Sequence, residues 1–275
     1  MPEGPETKTM ADGISKALIG KEISSYKFLY KTLYPLRTLK SFNVTNVMSR
    51  GKAIIISLNN NFSIITHNQL YGKWTFHRPS TLMKTNRQLR IEFSTKTKVV
   101  RLWSATDILV YKSNDLINHP YLKKLGPDIL DKDTTITTVL DQLKKKKFKN
   151  RSLSSILLDQ SFIAGLGNYL RSEILFFSKI MFSLKPSELD TKGLEKLSRE
   201  IKIVSLRAYY QKGKTIDFEY IEKTFGNIDN FKRLKHMVFG REGLPCFLCG
   251  NKILKYVIAS RRIYVCENCQ KKNKT

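Results

Sequence analysis

The chain opens Met1-Pro2-Glu3-Gly4-Pro5-Glu6, and these residues carry the first chemistry that can be read from it. Removal of Met1 would leave Pro2 as an N-terminal secondary amine. An internal proline nitrogen is locked in an amide, so no other proline here offers that nucleophile. Glu3 and Glu6 set two carboxylates beside it, groups that can carry protons to and from a reacting centre. Pro5 suits the first turn of a helix, where its missing N–H costs nothing. Glu6 is favoured in the same turn by the helix dipole. Taken alone, the six residues favour a proline-rich lead-in to an ordinary capped helix, so the nucleophile needs support from the rest of the chain.

The sharpest pattern lies at the other end. Cys246-Phe247-Leu248-Cys249 is followed, after sixteen residues, by Cys266-Glu267-Asn268-Cys269. Two C-x-x-C pairs at that separation predict a tetrahedral four-cysteine zinc site, each pair forming one knuckle. Four thiolates close the coordination shell, so the expected zinc is structural and does not activate water. Lys252–Val257 and Arg261–Val265 read as the two strands of a zinc-ribbon hairpin, with Ser260-Arg261-Arg262 at or near its turn. An arginine there could hold a phosphate bidentately.

Three internal stretches carry polar chemistry. Arg50-Gly51-Lys52 precedes a buried-looking strand, with Lys52 expected to project at the strand's edge. His67-Asn68-Gln69-Leu70-Tyr71-Gly72 reads as a loop after the next strand. Leu70 and Tyr71 on such a loop could wedge into a base stack, or simply face a core. Gly165-Leu166-Gly167-Asn168 interrupts the apolar run from Ile156 to Phe177 and marks a sharp turn between two helices. The second helix start offers N–H groups suited to an anion such as phosphate. Lys144–Arg151 is a basic run that a solvated helix face explains equally well.

The elements that must position these groups change character along the chain. Met10, Ile14 and Leu18 recur at steps of four, which predicts an amphipathic helix over 6–19 stopped by Gly20. From about residue 22 to 110 the period shortens to two. The expected strands are Ile23–Tyr30, Val44–Met48, Ala53–Leu58, Phe62–Thr66, Lys73–Phe76, Leu89–Phe93, Val99–Trp103 and Ile108–Tyr111. Asn59-Asn60-Asn61 turns two of them into a hairpin. Short strands at this spacing suggest an antiparallel sandwich or barrel. Beyond Asp115 the pattern becomes helical, with Gly126-Pro127-Asp128 near the change and helices expected at Thr134–Leu143 and Leu194–Gln211. Residues 212–240 give no clear assignment. The expected organisation is a β-sandwich with its N-terminal helix over 1–118, a helical domain over 119–240 and a four-cysteine finger over 241–275, an α+β multidomain chain.

Composition narrows the partner. The 275 residues hold 49 Lys and Arg against 23 Asp and Glu, a formal net charge of +26 and a pI of about 9.9. A surplus of that size points to an acidic partner, nucleic acid first. No apolar stretch approaches the ~20 residues of a membrane helix, and no secretory leader is visible. With every cysteine in the last thirty residues, a disulfide framework through the body is excluded. The chain is therefore expected to be intracellular, soluble and not secreted.

Taken together, Pro2–Glu6, Arg50-Gly51-Lys52, Leu158-Asp159-Gln160 through Gly165-Leu166-Gly167-Asn168-Tyr169, and the four-cysteine finger with Arg261 occur in the order of a known family. The sequence resembles the formamidopyrimidine-DNA glycosylase / endonuclease VIII family of base-excision repair enzymes over essentially its whole length. His67–Trp74 and Gly167–Arg171 are more similar to the endonuclease VIII branch. The resemblance implies a β-sandwich, a helix–two-turns–helix domain and a zinc finger, with DNA between them. It implies a bifunctional DNA glycosylase/AP lyase acting on damaged, duplex DNA as a monomer, with oxidised pyrimidines preferred. The alternatives are a preference for 8-oxoguanine and formamidopyrimidines, or a catalytically silent DNA binder. Pro2 would attack C1′, Glu3 would serve as acid/base, and Glu6 would support it. Lys52 and Arg261 would bind phosphates and assist elimination. Gln69, Leu70 and Tyr71 would fill the gap left by the flipped base, while Asn168 and Lys124 would contact DNA. The sequence departs from the family at Lys124, where many relatives carry Arg and where Lys offers no bidentate contact. It departs also at Glu267, where Pro is common, and at Ser260, where Gly is often seen.

Overall fold

In the computed structural model, which describes residues 1–225 and 234–271, helix α1 spans Gly4–Leu18. It starts earlier than apolar spacing suggests because its first turn is Gly-Pro-Glu, where capping by Glu3 and Glu6 and a proline suited to the turn make a helix without a periodic apolar signal. Ala11, Ile14 and Leu18 form its buried face, and Gly20 ends it at a φ of +69°, where glycine is the least strained residue.

Eight strands follow: β1 Ser25–Phe28, β2 Val44–Arg50, β3 Ala53–Leu58, β4 Phe62–His67, β5 Lys73–His77, β6 Leu89–Ser94, β7 Val99–Trp103 and β8 Asp107–Lys112. They pair antiparallel in two four-stranded sheets, β1-β6-β7-β5 and β2-β3-β4-β8. Period-two burial turns Phe28, Ile91, Phe93, Val100 and Leu102 of one sheet toward Val47, Ile54, Ile56 and Ile64 of the other, and α1 joins the same core. The opposite face of the second sheet is not open. Ala53, Ile55 and Ile65 are covered by Tyr111, Leu116, Tyr121 and Leu122, from β8, a 3-10 turn at Ser113–Asn118 and the short helix α2 (Pro120–Lys123). β3 therefore buries both faces, which explains its unbroken run of isoleucines. The expected first strand shortens from Ile23–Tyr30 to four residues, and Lys31–Thr38 forms a 3-10 helix that alternation does not reveal.

The chain divides into two compact units, Met1–Lys124 and Leu125–Thr275, so residues 119–124 pack with the sandwich. The second unit contains α3 (Ile136–Lys144), α4 (Lys146–Lys149), α5 (Leu153–Ile156), α6 (Asn168–Ser178), α7 (Thr191–Tyr210) and α8 (Phe218–Phe225), then the hairpin β9 (Leu254–Ile258) and β10 (Arg261–Val265). Helix α7 begins a turn before its first apolar residue because the Asp190 side chain accepts the Gly193 N–H at 2.7 Å. In the basic run, Phe148 is buried while the flanking lysines of α4 stay in solvent. One core joins α3, α5, α6 and α7 to Ile263 and Val265 of β10. Of the stretch 212–240 that resisted assignment, α8 occupies the middle, and 226–233 lie outside the described residues. No helix among the described residues is long and apolar enough to cross a membrane.

Candidate active site and nucleic-acid interface

The residues singled out in the sequence fall into local groups, each built by a few neighbouring elements. In the first unit, Pro2 sits two residues ahead of α1, and Glu3 occupies its N-cap position. The Glu3 N–H donates to Glu6 Oε2 at 2.9 Å, and Glu3 O accepts from Thr7 N at 3.0 Å and Thr7 Oγ1 at 2.8 Å. Glu6 thus spends a carboxylate oxygen on capping the helix. Glu3 itself is only 3% exposed, an unusual setting for a glutamate so close to a chain end. A helix pinned to the core along Ala11, Ile14 and Leu18 holds both residues in place.

Helix α1 packs along β2 and β3. Those strands are joined by the two-residue turn Gly51-Lys52, with Arg50 paired to Ala53 and Gly51 at a φ of +60°. Lys52 does not project from a strand edge as expected. It is 8% exposed, and its backbone N–H donates to the Tyr121 hydroxyl at 3.0 Å. His67, at the end of β4, lies edge-on to the Tyr121 ring at 5.6 Å between centroids. Burial holds the His67 imidazole below its ordinary pKa; Asp107 opposes this and Lys52 reinforces it.

The loop after β4 closes on itself. Gly72 N donates to Asn68 O at 2.7 Å, and a Cβ on Gly72 would lie 2.7 Å from the Asn68 Cα, so only glycine fits. Gln69 takes a φ of +47°; its N–H donates to His67 Nδ1 at 3.1 Å and its Nε2 to Asp107 Oδ2 at 3.3 Å. Arg87 Nη1 holds the Tyr71 carbonyl at 2.6 Å, and Asn68 Nδ2 approaches Met10 Sδ of α1 at 3.2 Å. This framework lifts Leu70 and Tyr71 into solvent, 70% and 69% exposed, which removes the core-facing reading. Two large adjacent apolar side chains on a pinned loop can insert between stacked bases. Lys124, exposed at the end of α2, stands in the same unit.

In the second unit, Gln160 builds the turn ahead of α6. Its Oε1 accepts from Gly165 N at 3.1 Å, and its Nε2 donates to Leu166 O at 2.9 Å. Gly126 lies against this turn so closely that a Cβ would meet the Ser161 carbonyl oxygen at 2.5 Å. Asn168 opens α6, partly buried, and its Oδ1 accepts from Arg171 Nη2 at 2.8 Å. Arg261 opens β10 directly after the tight turn Ala259-Ser260 and is exposed. The first finger strand is Leu254–Ile258, shifted from the expected Lys252–Val257 because Ile258 pairs with Arg261; Lys252 bridges to Pro245 instead. Ser260 takes a φ of +62°, a conformation suited to glycine. Glu267, the other departure, accepts a hydrogen bond from the Tyr256 hydroxyl.

The four cysteine sulfurs lie within 4.8 Å of one another, with Cys246 and Cys269 Sγ 3.9 Å apart and Cys249 and Cys266 Sγ 3.4 Å apart. A tetrahedral metal with sulfur ligands at about 2.3 Å needs sulfurs about 3.8 Å apart, so the donor set fits. Burial, with the neighbouring sulfurs adding to it, pushes the Cys266 thiol up to about 11, and a divalent cation removes that resistance to ionisation.

Sequence reasoning missed two groups in this unit. Arg171 and Glu173 are fully buried in α6. The signal for both was present, since Arg171 and Glu173 stand between the apolar stretches Tyr169-Leu170 and Ile174–Phe177. Tyr121, by contrast, carried no mark that would have tied it to Lys52.

Comparison with known proteins agrees with this architecture. Residues 1–105 match the formamidopyrimidine-DNA glycosylase N-terminal domain, and residues 125–219 match the formamidopyrimidine-DNA glycosylase H2TH domain. Endonuclease 8 of Escherichia coli (strain K12 / DH10B) is 36% identical over 271 residues, covering 98% of this chain and all of the relative. Endonuclease 8 of Salmonella typhi is 37% identical over 272 residues at the same coverage. Among solved structures, MutM bound to DNA containing carbocyclic 8-oxo-G shares the fold at a TM-score of 0.78 and 22% identity, covering 98% of this chain and all of that one. Lactococcus lactis Fpg bound to abasic-site DNA matches at the same score, identity and coverage. Family matches in both units and full-length relatives above one-third identity lead to one conclusion: the chain belongs to the formamidopyrimidine-DNA glycosylase family, the DNA glycosylases and AP lyases of base-excision repair.

Proposed function

We propose that this chain excises oxidised pyrimidines from duplex DNA as a monomer, using Pro2 as nucleophile and cleaving the strand by successive β- and δ-elimination. The observation that carries the mechanism is the start of α1, where Pro2 precedes a buried Glu3 on a helix anchored in the core. The substrate preference follows the Endonuclease 8 relatives and the Gln69-Leu70-Tyr71 loop.

With Met1 removed, the Pro2 amine attacks C1′ of the flipped nucleotide. The bond from C1′ to the base breaks, and the base departs with a proton. Glu3 passes protons between the amine, the ring oxygen and water as the sugar opens. The resulting iminium cannot shed its charge, since a secondary amine leaves no N–H, and it acidifies the C2′ hydrogen. Loss of that proton expels the 3′ phosphate, and a second elimination expels the 5′ phosphate; hydrolysis then frees Pro2. An α-amino group titrates nearer neutrality than a lysine, so more of it is nucleophilic at pH 7. Lys52 and Arg261 hold phosphates and assist the eliminations, Asn168 and Lys124 contact the backbone, and Gln69, Leu70 and Tyr71 occupy the vacated stack. Flipping costs a few kcal/mol, which the wedge offsets. Zinc on Cys246, Cys249, Cys266 and Cys269 holds the finger's shape. The enzyme works inside the cell, on DNA.

Borohydride trapping tests the proposal. Incubated with a duplex containing one abasic site, the Met1-processed protein should form a covalent protein–DNA adduct on reduction. No adduct, or full cleavage by a preparation that intact mass shows to retain Met1, removes Pro2 from its role. A panel of single-lesion duplexes should show oxidised pyrimidines cut faster than 8-oxoguanine; the reverse order overturns the preference.

A further inference from the structure

Arg171 is 1% exposed and is the bulkiest of the fully buried side chains among the described residues. It lies in the first turn of α6, between Leu170 and the apolar positions Ile174 and Leu175. Its guanidinium reaches three separate pieces of the second unit. Nη1 donates to the Ser154 carbonyl in α5 at 3.0 Å, and Nη2 donates both to Asn168 Oδ1 at 2.8 Å and to the Arg262 carbonyl in β10 at 2.9 Å. A second tie runs beside it, from Tyr264 N to Ser172 Oγ at 3.3 Å. A planar guanidinium directs its donors along fixed lines, so these acceptors are held at set positions relative to one another.

Two consequences follow. Arginine only donates, so Asn168 must turn its carbonyl oxygen to Arg171 and its Nδ2 donor end the other way. That end is the one able to donate to a phosphate oxygen. On the finger side, the clamped carbonyl belongs to the residue beside Arg261. Successive side chains alternate across a strand, so fixing the main chain at Arg262 fixes the frame from which Arg261 projects.

We propose that Arg171 is a positioning residue that couples Asn168 and Arg261, so that the helix turn and the finger engage the backbone of one bound strand as a single unit. This rests on the reading above that both residues contact DNA. A buried arginine serving only as a packing strut would leave the two contacts independent.

The test measures binding of a duplex carrying a tetrahydrofuran abasic analogue by the wild type, Arg171→Lys, Arg261→Ala and the double variant, over a range of salt. The expected loss for Arg171→Lys is about tenfold. The slope of log affinity against log salt should become shallower by about one phosphate contact, matching Arg261→Ala, and the double variant should be little worse than either single. Losses that multiply, or an Arg171→Lys protein with wild-type affinity and slope, overturn the proposal. Zinc content and circular dichroism report whether Arg171→Lys folds. If it does not, Asn168→Ala, Arg261→Ala and their combination decide: a combined loss well below the product supports coupling, and a full product refutes it. A wild-type protein that neither binds this duplex nor traps on an abasic site defeats the functional reading instead. Binding and trapping without coupling defeat only the role of Arg171.

Discussion

The backbone N–H of Lys52 donates to the hydroxyl of Tyr121 at 3.0 Å, across sixty-nine residues of sequence. The contact ties the β2–β3 turn to the segment that covers the outer face of its sheet, and it sets the path of the chain on which the Lys52 side chain is mounted. Tyr121→Phe removes the hydroxyl that accepts the Lys52 N–H and keeps the ring. We expect a stability loss of about 1 kcal/mol in urea denaturation, together with slower strand cleavage at an abasic site. Unchanged cleavage by a destabilised Tyr121→Phe protein would show that the turn's placement does not matter to the reaction.

The buried Glu173 carboxylate gathers donors from a distant stretch. Oε2 accepts from Met237 N and Oε1 from Val238 N, each at 2.8 Å, while Phe239 N reaches Oε1 at 2.9 Å and Thr215 Oγ1 reaches Oε2 at 2.7 Å. Glu173→Gln replaces one accepting oxygen by an NH2 that faces N–H groups. It should cost about 3 kcal/mol, read as a lower denaturation midpoint. A loss below ~1 kcal/mol would mean that this stretch is held by its apolar contacts alone.

Metal binding should dominate the finger. Cys246→Ser, or a strong chelator applied to the wild type, is expected to lower bound zinc from one per chain toward zero and weaken DNA binding at least tenfold, since β10 and Arg261 then lose their anchor. Metal analysis beside a binding titration checks both parts. Unaltered zinc and affinity in Cys246→Ser would contradict the four-cysteine site.

Ser260 sits at a φ of +62° in the two-residue turn of the finger hairpin. Glycine adopts that conformation without the Cβ penalty of about 1 kcal/mol. Ser260→Gly should therefore raise the melting temperature of the zinc-loaded protein by a few degrees while leaving the metal content alone. A lower melting temperature would mean that the Ser260 side chain contributes more than its backbone strain costs.

Acid should weaken the first unit. Burial holds His67, His77 and His119 below their ordinary value of 6.5; Lys52 adds to the effect at His67, Arg101 and Lys73 at His77, and Asp107 opposes it at His67 and His119. The unfolded chain then binds more protons than the folded one below about pH 6.5. Stability is full above that pH and is lost as pH falls through the depressed folded values. Protonation also removes the His67 Nδ1 acceptor that holds Gln69. Urea midpoints at pH 7.5 and 5.5 should show the drop, and His77→Gln should make it smaller. A flat profile would rule out these histidines as its source.

What could be read from the sequence is what depends on local pattern. Short apolar runs at regular spacing located the eight strands of the sandwich, because every strand turns at least one face to a common core, and β3, buried on both faces, shows as an unbroken apolar run. Cysteine spacing announced a four-sulfur cluster, because a knuckle is a local structure. The Pro2–Glu6 lead-in announced a capped helix for the same reason. Tertiary structure decided the rest, wherever a residue's environment comes from a remote segment. The Lys52 backbone N–H finds its acceptor in Tyr121, which arrives from another element, and no periodicity carries that information. Leu70 and Tyr71 stand in solvent because Arg87 and Asp107 hold their loop from other points in the chain. Arg171 and Glu173 look like interruptions of an apolar helix until their acceptors and donors come together around them: Ser154, Asn168 and Arg262 for the one, Thr215 and Met237–Phe239 for the other. A buried charge is tolerated only where folding supplies its partners, and here those partners lie as far as ninety-one residues away.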